Sequence, residues 1–148
     1  MNEIMKRPNK TLWMALGAIP VLGGILVLGG WLSIYSSLQA INPQTERSIG
    51  KDILLSIVTC GLFGLALPYL IIKDTQDGCQ ALGIQAPDYT GHVYGLIVVN
   101  VIVSMFLQLN MGDTGLVISY ILGGLFNAAV MHFYLEPFVI IADAYNED

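Results

Sequence analysis

Charge is the feature that most constrains this chain, because of where it is missing. The 6 Lys and Arg and 11 Asp and Glu residues leave four long gaps, 11–45, 53–72, 89–112 and 114–135. About 20 apolar residues in a helix cross the hydrocarbon of a bilayer, and a charge placed in the middle costs roughly 2.5–3.5 kcal/mol on insertion scales. The gaps therefore predict an all-α integral membrane protein with four transmembrane helices, at about 12–37, 53–72, 93–110 and 115–136. Composition agrees: charged residues make up 11% of the chain and the mean hydropathy is +0.67, whereas soluble domains carry about 25% charge. Little sequence remains outside these segments, so residues 1–148 read as a single membrane domain without a soluble catalytic domain.

The net charge of −5 argues against a nucleic-acid surface, which needs a basic patch. Lys6, Arg7 and Lys10 precede the first apolar stretch in the manner of a signal peptide. That stretch is longer than the 7–15 residues of a secretory h-region, so it is expected to stay as an anchor. Four straight spans put Lys6, Arg7, Lys10 and Lys73 on one side and Arg47 and Lys51 on the other. Basic residues gather on the cytoplasmic face, which predicts both termini inside. The acidic residues Asp143, Glu147 and Asp148 weigh little in that rule. Cys60 and Cys79 fall at different depths, so no disulfide is expected between them.

Two stretches echo one another. "LLSIVTCGLFG" (54–64) aligns with "VISYILGGLFN" (117–127), and "PYLIIKD" (68–74) with "PFVIIAD" (137–143). A true duplication relates two helical hairpins by an axis along the membrane normal. The segment 54–74, with its echo at 117–143, resembles the signature of a domain-of-unknown-function family of small bacterial multi-pass membrane proteins. The resemblance rests on Thr59, Cys60 and Gly61. It implies a bacterial envelope protein, and no particular activity.

Three groups of residues invite a functional reading. The first span carries Gly17, Gly23, Gly24 and Gly30, a groove without Cβ atoms that suits internal packing, a partner helix or a lipid. In the third span Asn100, Ser104 and Gln108 recur every four residues, a polar stripe on one helix face. The short turn "NMGDTG" makes the third and fourth spans an antiparallel hairpin. Asn100 is then expected opposite Asn127, Ser104 opposite Gly123 and Gln108 opposite Ser119. Such a seam suits interhelical hydrogen bonds; a path for a small ion or solute is the alternative, though conducting paths usually carry ionisable groups. His92, His132 and Glu136 fall near one end of this hairpin. Two histidines and a carboxylate can bind a transition metal, relay a proton or ligate haem; equally, they suit the headgroup boundary beside Tyr94 and Tyr134. Thr90 is expected to cap the third span.

No nucleophile elbow, zinc helix, phosphate loop or dinucleotide fingerprint occurs. The chain thus reads as a non-catalytic membrane scaffold or accessory subunit, without a resident cofactor. Its expected partners are membrane lipid and other membrane-protein subunits or further copies of itself. The alternative is a homo-oligomeric channel or transporter using the Asn100 stripe or the His92/His132/Glu136 cluster.

Overall fold

The computed structural model describes residues 5–20, 22–26 and 28–146. It is helical throughout, with α1 Lys10–Gly17, α2 Gly23–Leu26, α3 Leu28–Ile41, α4 Ile49–Val58, α5 Leu62–Ala81 and α6 Thr90–Asn146. Four straight transmembrane helices are not what these sequences build. Among the described residues one segment, Thr90–Tyr145, is long and apolar enough to cross a membrane. The stretch 12–37 is divided among α1, α2 and α3, and 53–72 breaks at 59–61, between α4 and α5. The stretches 93–110 and 115–136 belong to a single element, α6, with non-helical backbone at Gly112 (φ 54°, ψ −128°). The physical reason is plain: a charge-free run measures how much apolar chain there is, not the path it takes.

Each of the three apolar regions reverses direction. In the first, α1 lies along the later part of α6, from an ion pair between Lys10 and Glu136 to a close approach of Ala18 to Gly124. The chain then turns, and α3 returns with Trp31 stacked 5.0 Å from Tyr134. A Cβ added to Gly30 would sit 2.9 Å from the Met131 sulfur, and one on Gly29 would collide with the Trp13 indole. These glycines make room for the ring that separates the two limbs.

In the second region Arg47 bonds Asp52 at the start of α4 and also Asp74 in the second half of α5. A straight helix would hold residues 47 and 74 about 40 Å apart. Reversal occurs at Cys60 (φ 53°) and Gly61 (φ 88°), both left-handed. The Thr59 hydroxyl donates to the Leu55 carbonyl at 2.7 Å and accepts the Phe63 amide at 2.9 Å, so one side chain ends α4 and starts α5. This turn also overturns the proposed duplication. Thr59, Cys60 and Gly61 align with Leu122, Gly123 and Gly124, where α6 runs on uninterrupted.

In the third region α6 doubles back at Gly112. A Cβ on Gly115 would collide with the Leu107 carbonyl, and the His92 ring lies 5.3 Å from that of Phe133. In a straight helix those rings would be about 60 Å apart. The expected antiparallel hairpin is therefore present, as the limbs 90–111 and 113–146.

Burial concentrates at one end, here called the base. Ile34, Leu38, Ile71, Leu135, Phe138 and Ile141 are all nearly inaccessible there. The Arg7–Asp143, Lys10–Glu136 and Arg47–Asp74 pairs lie at the same end. The α5 helix joins α6 through an unusual device. Pro68 removes an amide from the α5 ladder, and the Tyr94 hydroxyl enters beside it, donating to the Leu65 carbonyl at 2.6 Å and accepting the Tyr69 amide at 3.4 Å. Beyond the turns of the shorter hairpins, the outer part of the α6 hairpin on either side of Gly112 is largely exposed among the described residues. Leu109 is 82% exposed and Phe106 64%, and Ile102, Val117 and Tyr120 are exposed around them.

Candidate functional site

The densest polar constellation joins α3, α4 and α5. The Arg47 Nε donates to Asp74 Oδ2 at 2.7 Å, and its Nη1 to both Asp52 oxygens at 3.3 and 3.4 Å. The Tyr35 hydroxyl donates to Asp52 Oδ2 at 2.5 Å. Thr45 adds a bond to the Asp74 carboxylate, and Asn42 one to its carbonyl. Burial, reinforced by the hydrogen bond to Asp52, pushes the Tyr35 phenol above its ordinary range, which keeps it a neutral donor. Burial works against the Arg47 charge, but its bonds to Asp74 and Asp52 outweigh this and raise its pKa. Asp52 is only 3% exposed, and each of its oxygens has a partner. A carboxylate paired in this way ties α3 to α4 through Tyr35 and Arg47.

Two apolar clefts flank this junction. One, of about 350 Å³, is walled by Leu28, Trp31, Ile49, Ile53, Ile57 and Leu67, with Tyr35, Asp52 and Ser56 at its polar edge. The Ser56 hydroxyl is already engaged by the Asp52 carbonyl at 2.8 Å. The other, of about 330 Å³, lies across Trp31 and Leu67, between α5 and the α6 limbs, and Asn100 faces it beside Phe126, Val130 and Tyr134.

The seam expected from the sequence is assembled in part. Asn100 and Ser104 are half-buried on the limb 90–111, and Ser119 is buried opposite. Gln108 is exposed. No hydrogen bond crosses the hairpin from these residues among those described. The Ser119 hydroxyl instead donates one turn back, to the Gly115 carbonyl at 2.8 Å. Gly123 and Asn127 lie half-buried on the facing limb, and nothing would touch a Cβ at Gly123.

Three of the groove glycines, Gly17, Gly23 and Gly30, are packed from within. Gly17 and Gly23 meet each other across the first turn, and Gly30 receives Trp13 and Met131. Gly24 follows Gly23 in α2.

His92, His132 and Glu136 do not form one cluster. Among the described residues no three His, Cys, Asp or Glu side chains come together to hold a metal. His92 packs edge-on to Tyr89 at 5.4 Å and tilted against Phe133, His132 meets Phe133 edge-on, and Glu136 is taken by Lys10. Thr90, expected as a cap, is instead the first helical residue of α6. The Asp88 carboxylate accepts its amide at 3.0 Å and its hydroxyl at 2.7 Å. Glu147 and Asp148, of the expected acidic tail, lie outside the described residues.

Sequence reasoning missed the Tyr35–Arg47–Asp52–Asp74 junction. A signal was present: Asp52 and Asp74 stand just outside the two ends of a charge-free run. Carboxylates that close can share one arginine only if the run between them folds back. Comparison with protein-family models, curated proteins and solved structures finds no match.

Proposed function

We propose that this chain is a non-catalytic membrane scaffold, an accessory subunit that seats in a bilayer through the α6 hairpin and packs other membrane polypeptides against it. The observation that carries this reading is the outer part of the α6 hairpin, exposed and apolar on its flanks. Exposed apolar flanks of this extent call for a partner surface or lipid about them. Gly91 and Gly95, one turn apart near the start of the first limb, leave open space where a Cβ would be, and small residues let a neighbouring backbone come close. The ion-paired base supports the same reading as a rigid stand for that hairpin.

A bacterial inner membrane, with both termini cytoplasmic, is the location that fits. All six Lys and Arg residues belong to the base, since the Arg47–Asp74 pair brings Arg47 and Lys51 to the side of Lys73. The positive-inside rule then favours a cytoplasmic base. The Arg7–Asp143 pair keeps both described ends of the chain there too.

The test is purification of the tagged protein from its own membranes in mild detergent, with mass and composition measured. A discrete complex holding other polypeptides in fixed ratio is the expected result. A homogeneous particle made of this chain alone would overturn the accessory-subunit reading and send attention to flux assays.

A further inference from the structure

We infer that the three hairpins enter a bilayer from one face to different depths, α6 crossing the hydrocarbon and the α1/α3 and α4/α5 hairpins stopping near its middle. The inference rests on the membrane reading above and specifies the surface that meets lipid. Helix length is the first argument. The α6 limb 90–111 extends about 33 Å at 1.5 Å per residue, enough for a hydrocarbon layer of about 30 Å. By contrast, α1 has 8 residues and α4 has 10, or about 12 and 15 Å on the same scale.

Charge agrees with these depths. Among the described residues Asp113, at the far turn of α6, is the one charge away from the base, placed where a crossing hairpin would re-emerge. Neither short turn carries a charge.

Backbone satisfaction is the strongest argument. Inside hydrocarbon every amide needs a partner within the protein. At the first turn the amides of Ala18, Ile19, Leu22 and Gly23 bond to the carbonyls of Met14, Leu16, Pro20 and Ile19, while Pro20 has no amide to satisfy. At the second, Thr59, Cys60, Gly61 and Leu62 bond to Leu55, Ile57, Ser56 and Thr59, and Phe63 to the Thr59 hydroxyl. Among the described residues the amides of these turns need no water, and the exposed side chains are apolar. Val58 is 70% exposed and Leu62 71%, with Leu22 and Ile25 exposed on the other turn. A turn facing water would ordinarily carry Asn, Asp or Ser with free polar groups. Lipid acyl chains are the occupant that fits an apolar turn whose described amides are paired within the chain.

The experiment uses the full-length protein in membrane vesicles of both orientations and a membrane-impermeant maleimide. The variants Lys51→Cys, Asp77→Cys and Asp113→Cys are made in a Cys60→Ser background, which leaves Cys79 buried in the base as the second thiol. We expect residues 51 and 77 to label from the same face and residue 113 from the opposite face. In the unmutated protein, Cys60 should stay at background from both faces and label only after detergent dissolves the bilayer. That measurement needs no substitution, so a misfolded variant cannot mask the answer. Labelling of residues 51 and 77 from opposite faces, or of Cys60 from water in intact vesicles, overturns the half-depth seating while the protein still resists alkaline carbonate. Release by alkaline carbonate overturns the membrane reading as well.

Discussion

Replacing Arg47 by Ala removes the one cation that faces two carboxylates at the base of the α4/α5 hairpin. The side chains of Arg47 and Asp52 are 13% and 4% exposed, and that of Asp74 is 22%. Breaking a buried ion pair from one side costs about 3–5 kcal/mol, mostly because the remaining charge is left uncompensated. The contacts to Asp52 are long, at 3.3 and 3.4 Å, which favours the lower end, about 3 kcal/mol or roughly a hundredfold in the folding equilibrium. Asp52→Asn keeps an acceptor for the Tyr35 hydroxyl and leaves Arg47 paired with Asp74, so its cost is about 1 kcal/mol. The double variant is the decisive one. With Asp52 neutral, the loss of Arg47 strands one carboxylate fewer, so the combined cost should fall below that of Arg47→Ala alone. Denaturant unfolding in detergent micelles, followed by tryptophan emission, reads all three, since Trp31 lines the cleft that Asp52 borders. A cost for Arg47→Ala below about 0.5 kcal/mol, or simple addition of the two single costs, would refute the reasoning.

Gly124→Val should push Ala18 away and loosen α1 from α6, at a cost of about 1–3 kcal/mol; Gly123→Ala, where nothing lies within 4 Å, should leave the melting temperature nearly unchanged. Asp88 is held below the usual 3.8 by the hydroxyl and amide of Thr90. Because the folded pKa is depressed, the capping contribution is present above pH 3.8 and lost as pH falls through the lowered value, so an acid titration of helicity should be shallower in Asp88→Ala. Burial pushes the Cys79 thiol up to about 11. In detergent at neutral pH a thiol reagent should therefore modify Cys60 and leave Cys79 untouched until denaturant is added, as mass spectrometry can follow.

Some of this architecture was legible in the letters. "NMGDTG" announced the α6 reversal because glycine, aspartate and a break in hydrophobicity coincide there, and Gly112 does take the positive φ. The turn at Thr59, Cys60 and Gly61 offered no such coincidence. Its residues are as apolar as their neighbours, and the hydroxyl that closes it could as well have bonded back along an unbroken helix. The first turn was visible only as Pro20, which a kinked span would also explain. Among the candidate sites, Asn100, Ser104 and Ser119 do line the hairpin, but the Ser119 hydroxyl bonds the Gly115 carbonyl on its own helix. The His92 and Glu136 grouping failed for a different reason. Lys10, which comes 126 residues before Glu136, claims that carboxylate, and only the tertiary fold brings it there.

The clasp between the two ends of the chain sets a timetable for its making. Arg7 waits for Asp143 and Lys10 for Glu136, 136 and 126 residues later. Contacts of such range slow folding because the whole intervening chain must be gathered first. At about 5–20 residues per second of synthesis, α1 is made many seconds before the helix it lies against. During that interval its indole has the Gly29 and Gly30 face of α3 beside it but not yet the helix α1 lies along. A protein cut short before Glu136 would leave the ribosome with Lys10 still unpaired.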